Sequence, residues 1–265
     1  MKVVIFCGGQ GMRMREYSDR LPKPLVPIGD RPIIWHMMRY YAHFGHTEFI
    51  LCLGYGAQQI KQYFMNYQEW ESNDFVLRGS ATDGNRVQMM GTDLDDWNIT
   101  FVDTGLSSLI GERLRRVREH IGTDEEFLCN YADCLTDCDI NEIIALHRKV
   151  DATATVLTVP PTRSFHVVEM GQDSTVNRVG EVNNAGLWIN GGYMVLRNEI
   201  FDVLNPNEEL VYEPFARLAA KGKLHAFRHE GHWIGVDTFK ERQELEELWI
   251  QNQAWWAPWQ HDHST

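Results

Sequence analysis

A chain of 265 residues with 43% hydrophobic and 23% charged residues is long enough to bury the core of one large domain. Its formal net charge of −12 argues against a nucleic-acid polymer or an anionic membrane as partner, since both demand a positive face, yet leaves room for one basic pocket that takes a small anion. Nothing approaches the roughly twenty apolar residues of a membrane span, and the short apolar start runs into glycines with no small-residue cleavage site.

The opening segment MKVVIFCGGQGMR sets an apolar strand at residues 3–6 directly before a glycine-rich turn. Helical spacing follows at 32–44, a second strand at 48–53 and a second helix at 57–67. Next come a strand at 99–102, an arginine-rich helix at 112–120, a strand at 126–130, the polar turn 131–134 and a helix at 140–149. This alternation predicts βαβ units: an α/β fold with a Rossmann-like, mostly parallel mixed sheet flanked by helices. After Asp151 the rhythm changes to strands at 152–159, 167–170, 188–196 and 224–227 with fewer helices, which predicts an extension of the same sheet plus a smaller β-rich subregion. The tail at 251–265 holds tryptophans without a clear period; they are expected to pack on the body or on a neighbouring subunit. One globular unit spans residues 1–250.

The five cysteines are odd in number and scattered, so they predict a reducing, cytoplasmic setting. Cys134 and Cys138 lack a second pair, which argues against a zinc site, and the spacing of His225, His229 and His232 fits neither a helix nor a strand face.

Chemistry enters at the glycine turn. Gly8, Gly9 and Gly11 can turn backbone N–H groups towards an anion, and Arg13 adds a fork of donors suited to phosphate. The turn matches neither the dinucleotide GxGxxG nor a P-loop, and no acidic residue closes the second strand as a dinucleotide-dependent dehydrogenase would need. Ten residues on, Lys23 stands between Pro22 and Pro24, a stiff extended setting that presents its charge at low entropic cost.

GGQGMR followed by PKPLVPIGDRPI resembles the opening of the sugar-phosphate nucleotidyltransferases. GY at 54–55, WNITFVDTG at 97–105, GERLRRV at 111–117, INGG at 189–192 and GHWIGVDT at 231–238 are similar to the bacterial glucose-1-phosphate cytidylyltransferase branch. That resemblance implies the nucleotidyltransferase fold, with 1–150 mainly nucleotide-binding and 151–250 mainly acceptor-binding. It implies attack of a sugar 1-phosphate oxygen on the α-phosphorus of CTP, giving a CDP-sugar and pyrophosphate. Lys23, Arg13 and Asp133 would be catalytic; Gly8, Gly9, Gly11, Met12, Arg13, Lys23, Arg113, Tyr131 and Ala132 would bind nucleotide. Glu181, Asn190 and Gly191 would bind the acceptor, Asp133 and Asp237 would hold Mg²⁺, and the chain would be a homo-oligomer.

Three positions depart from the family pattern. Met12 replaces a threonine, Cys134 replaces a glycine in the turn YADC, and Val182 stands where relatives carry a lysine that grips the sugar phosphate. An apolar side chain cannot replace a cation against a dianion. Either Arg163 or Arg178 takes that role, or the acceptor or the nucleotide differs from the pair named, or the chain is a catalytically silent nucleotide-binding homologue.

Overall fold

The fold was obtained as a computed structural model that describes residues 1–9, 21–79, 86–94, 96–161, 166–182 and 185–260. The chain runs β1 (Lys2–Phe6), a 3-10 turn (Lys23–Leu25), β2 (Pro27–Ile28), β3 (Arg31–Pro32), α1 (Ile33–His43), β4 (Glu48–Leu53) and α2 (Ala57–Met65). Then come β5 (Phe75–Leu77), β6 (Val87–Met89), β7 (Asn98–Asp103), α3 (Ile110–Arg116), α4 (Arg118–Ile121) and β8 (Glu126–Tyr131). The second half holds β9 (Cys134–Thr136), α5 (Ile140–Lys149), β10 (Ala154–Val159), β11 (His166–Met170), β12 (Val176–Glu181) and β13 (Ile189–Arg197). It closes with α6 (Glu213–Ala220), β14 (Leu224–Arg228), β15 (Trp233–Gly235) and α7 (Phe239–Ile250).

Seven strands form the central sheet in the order β14-β10-β13-β8-β1-β4-β7, so strands from both halves of the chain share one sheet. β13 pairs antiparallel with β8 and β10, and every other pairing is parallel. The mostly parallel mixed sheet inferred from the residue pattern is therefore present.

Burial on both faces explains the near-continuous apolar runs of the inner strands. From β1, Val3 and Ile5 face one core with α1, α5 and Leu245 of α7, while Val4 and Phe6 face a second core with Leu114, Ile121, Phe215 and Leu218. The two-stranded pairs β5–β6 and β11–β12 lie outside this sheet, and β9 pairs with β15.

The expected helix at 112–120 is two helices, broken at Val117, whose φ of −100° and ψ of 4° leave the α region. The tail folds onto the body: Trp256 is buried against α1 and its Nε1 donates to His36 Nδ1 at 3.3 Å.

Candidate active site

With β13 the one reversed strand, the carboxyl ends of β1, β4, β7, β8, β10 and β14 share one edge of the sheet, where open α/β sheets bind ligands. β1 reaches that edge and passes through Cys7 into Gly8 and Gly9. Gly11, Met12 and Arg13 lie outside the described residues, as does Arg163.

Arg113 of α3 lies directly beneath Gly8, 3% exposed. Its Nη1 donates to Leu53 O at 3.1 Å and Thr104 Oγ1 at 2.8 Å, and its Nη2 to Gly8 O at 3.2 Å and Leu106 O at 3.3 Å. One guanidinium thus ties together the loops that leave β1, β4 and β7. A Cβ on Gly8 would stand 2.1 Å from Nη1, and one on Gly54 2.8 Å. Both positions need glycine to admit the guanidinium, quite apart from any ligand. Arg113, which the resemblance gives to the nucleotide, is buried against the carbonyl of Gly8 at the start of the turn.

Lys23 opens the 3-10 turn behind Pro22, whose φ of −64° and ψ of 145° suit a proline. Leu25 N donates to Pro22 O at 2.8 Å and Val26 N to Lys23 O at 3.1 Å, which fixes the backbone under the lysine. Its Nζ donates to Asp133 Oδ2 at 2.6 Å and to Asp237 Oδ1 at 2.7 Å. Burial works against the ammonium, but the charges and hydrogen bonds of Asp133 and Asp237 outweigh it and hold the Lys23 pKa above its ordinary value.

The two carboxylates meet because β9 and β15 pair antiparallel, with Cys134 opposite Gly235 and Val236 N donating to Asp133 O at 2.8 Å. Asp133 follows β8 through Tyr131 and Ala132, and Asp237 precedes the first turn of α7. Two hard oxygen donors converging on one cationic point suit Mg²⁺, which takes one or two protein carboxylates and completes its shell with water and substrate phosphates. Among the described residues no group of three or more His, Cys, Asp or Glu side chains could hold a metal by itself.

Cys134 begins β9 with a buried thiol that donates to Asn130 Oδ1 at 3.2 Å. Burial, reinforced by Asp133, pushes that thiol well above its usual pKa, so it packs as a neutral group. A Cβ on Gly192, whose φ is +86°, would stand 2.8 Å from Cys134 Sγ and 3.0 Å from the Tyr131 ring. The Asn-Gly-Gly segment therefore lies against the turn that carries Asp133. Asn190 Oδ1 accepts from Gly192 N at 2.9 Å, and Gly191 O accepts from Trp233 Nε1 at 2.7 Å. Glu181 ends β12, opposite His166, on the outlying hairpin, and Arg178 of the same strand pairs with Glu169 at 3.4 Å.

His229 Nε2 and His232 Nδ1 both meet Asp137, at 2.6 and 2.9 Å, and brace the turn that leads into β15; His225 belongs to β14. Sequence reasoning missed Thr104, Trp233 and the contacts of α7 with the lysine loop. Thr104 and Trp233 do fall inside the quoted motifs WNITFVDTG and GHWIGVDT, and that was their available signal.

Residues 2–241 match the nucleotidyl transferase family. The chain is 38% identical over 261 residues to a Bacillus subtilis (strain 168) protein named "Probable glucose-1-phosphate cytidylyltransferase", across 98% of this chain and 100% of that protein. It is 36% identical over 262 residues to the glucose-1-phosphate cytidylyltransferase of Salmonella typhimurium (strain LT2), with the same 98% and 100% coverage. Its fold is similar to that of UDP-glucose pyrophosphorylase solved with UDP-glucose, at a TM-score of 0.68 and 16% identity over 95% of this chain and 98% of that one. On the full-length match and the shared fold, the chain belongs to the nucleotidyl transferase family.

Proposed function

We propose that the protein transfers the cytidylyl group of CTP to a sugar 1-phosphate, glucose 1-phosphate or a related acceptor, and releases pyrophosphate. The observation that carries this reading is the meeting of Lys23 with Asp133 and Asp237 at the carboxyl edge of the sheet, in a chain similar over its whole length to cytidylyltransferases. An oxygen of the sugar phosphate attacks the α-phosphorus of CTP. A P–O bond forms as the α–β phosphoanhydride bond breaks, and its electron pair leaves with pyrophosphate.

Such a transfer asks the protein for positioning and for cancellation of spreading negative charge. Backbone donors of Gly8, Gly9 and Gly11 would meet the base and phosphates, with Met12, Tyr131 and Ala132 lining that end. Arg13 would hold the departing pyrophosphate and Lys23 the α-phosphate with the attacking oxygen. Arg113 would serve the nucleotide through the turn it supports. Asp133 and Asp237 would hold Mg²⁺, which when bound neutralises phosphate charge. Glu181, Asn190 and Gly191 would face the acceptor. Val182 stands where relatives carry the lysine that grips the sugar phosphate, so either Arg163 or Arg178 would supply that cation or the acceptor would differ from glucose 1-phosphate. No helix among the described residues is long and apolar enough to cross a membrane. The five cysteines are buried and free, in keeping with the reducing cytoplasm we infer for the reaction.

The test is pyrophosphate release with CTP, UTP, dTTP, ATP and GTP against a panel of phosphorylated acceptors in the presence of Mg²⁺. CTP with one sugar 1-phosphate should give the highest kcat/KM, and Lys23→Ala should lower kcat about a thousandfold without unfolding the chain. Tight CTP binding with no turnover for any pair would instead make this a silent nucleotide-binding homologue.

A further inference from the structure

The loop that carries Lys23 is gripped from outside the site by the last helix and the tail. Three consecutive residues of that loop are each held by a different side chain. Arg242 Nε donates to Pro27 O at 2.9 Å, His36 Nε2 donates to Ile28 O at 2.9 Å, and Gly29 N donates to Glu246 Oε2 at 3.1 Å. Arg242 Nη2 also donates to Glu246 Oε2 at 2.8 Å, so the two α7 side chains act as one unit. Trp256 Nε1 donates to the other nitrogen of His36, and the Trp249 ring meets His36 edge-on at 4.7 Å. A Cβ on Gly29, where φ is +60°, would stand 2.1 Å from Trp249 Nε1, so the turn fits α7 only as glycine.

The same helix fixes the lysine's partner. α7 begins with a capping box: Thr238 Oγ1 accepts from Glu241 N at 3.2 Å, while Glu241 Oε2 accepts from Asp237 N and Thr238 N, both at 2.7 Å. Asp237 therefore sits at one end of a rigid rod whose next two turns hold Pro27 and Gly29. Between Pro27 and Lys23 the chain is stiffened by Pro24, and beyond the lysine Pro22 fills the space a Cβ on Gly56 would need, 2.5 Å away. Movement of α7 must carry both Asp237 and the lysine loop with it.

We propose that α7 and the tryptophan tail form a clamp that sets Lys23 against Asp237, with Glu246, Arg242 and Trp256 as its positioning residues. The catalytic consequence rests on the reading of Lys23 given above; the mechanical one does not. Displacing a catalytic group by about 1 Å can cost about a hundredfold in rate even when the change lies away from the chemistry.

The experiment compares the full chain with Glu246→Ala, with Glu246→Gln, which keeps an oxygen acceptor for Gly29 N, and with Glu244→Ala. Glu244 belongs to the same helix but pairs with Lys240, at 3.7 Å, rather than with the loop. Two quantities are read: the rate at which sulfo-N-hydroxysuccinimide acetate acetylates Lys23, by peptide mapping, and kcat with KM for CTP. Glu246→Ala should acetylate severalfold faster and lose about 10- to 100-fold in kcat with little change in KM. Glu246→Gln should recover most of both, and Glu244→Ala should match the parent.

Parental acetylation in folded Glu246→Ala, or an equal effect from Glu244→Ala, overturns the clamp. Faster acetylation with unchanged kcat upholds the clamp and removes Lys23 from the chemistry instead. Should Glu246→Ala fail to fold, Trp256→Phe, which keeps a smaller aromatic ring and loses the N–H donor to His36, is read by the same two criteria.

Discussion

Lys23 finds Asp133 and Asp237 across 110 and 214 residues of sequence, and each member explains the others. An ammonium with 12% of its side chain exposed is tolerable because two carboxylates surround it, and two adjacent carboxylates are tolerable because a cation stands between them. Arg113 meets the same problem with neutral partners: its buried guanidinium is satisfied by three carbonyl oxygens and one hydroxyl. A lysine there would place its donors at one point and could not span acceptors on three loops. Arg113→Lys should therefore lose about 2–4 kcal/mol of stability in urea denaturation, from stranded buried carbonyls and an ill-fitting charge. It should also raise KM for CTP, because Gly8 and Gly9 lose their support. An unchanged urea midpoint together with an unchanged KM would mean that the arginine does not hold the turn.

The elements legible from the residues were those with a strong apolar period and clear ends. The strand at 48–53 and the helix at 140–149 match β4 and α5 residue for residue, the latter opened by Asp139, whose side chain accepts from Asn141 N. α7 escaped because its sequence, FKERQELEELWI, is largely charged and Leu245 is the residue it buries fully. β9 and β15 escaped because three-residue strands carry no period, and their pairing joins residues nearly a hundred positions apart. Lys23 and the two aspartates could be singled out by resemblance, but their convergence depends on that unseen pairing. Arg113 could be singled out by resemblance too, but its burial under Gly8 shows only once α3 is docked against the loops that leave β1, β4 and β7.

The tail's docking carries its own pH dependence. Only the His36 tautomer protonated at Nε2 can donate to Ile28 O and accept from Trp256, so the packed ring is neutral. Burial lowers its pKa to about 4, against about 6.5 in an unfolded chain. Between those values the unfolded state binds the extra proton, so stability is complete above pH 6.5 and is lost as pH falls. The loss from His36 should reach about 2 kcal/mol at pH 5. His46 and His147, also lowered to about 4 by burial, act in the same direction. Urea denaturation at pH 7 and pH 5 checks this, and His36→Gln, which cannot charge, should show a smaller drop. Equal drops in both proteins would remove His36 as a contributor.

At the scale of the molecule, an acidic chain keeps two apolar hairpins in view. In β5–β6, Phe75, Val76, Leu77 and Val87 are exposed, and in β11–β12 so are Val168, Met170, Val176 and Val179. Two strands alone are marginally stable in water, so such hairpins need an external hold. For β5–β6 the structure shows the root of that hold. Arg31, 1% exposed, donates to Gln68 O at 2.7 Å and Ser72 Oγ at 2.9 Å, meets Asp93 at 3.5 Å, and lies 3.9 Å over the Tyr67 ring. That network anchors the segment leading into β5 and the one leaving β6, but it covers none of the outward apolar residues. Their exposure is the physical ground on which we infer a homo-oligomer, with a second copy of the chain as the expected cover. Sedimentation velocity should then show a species larger than one chain at micromolar concentration. Leu77→Asp combined with Val87→Asp should convert it to monomer, because a buried interface cannot accept unpaired carboxylates. The far-ultraviolet circular dichroism should stay that of the parent, since neither side chain enters either core. A parent chain that sediments as a monomer would overturn the homo-oligomer, and a double variant that keeps the parental size would show that these hairpins do not join the subunits.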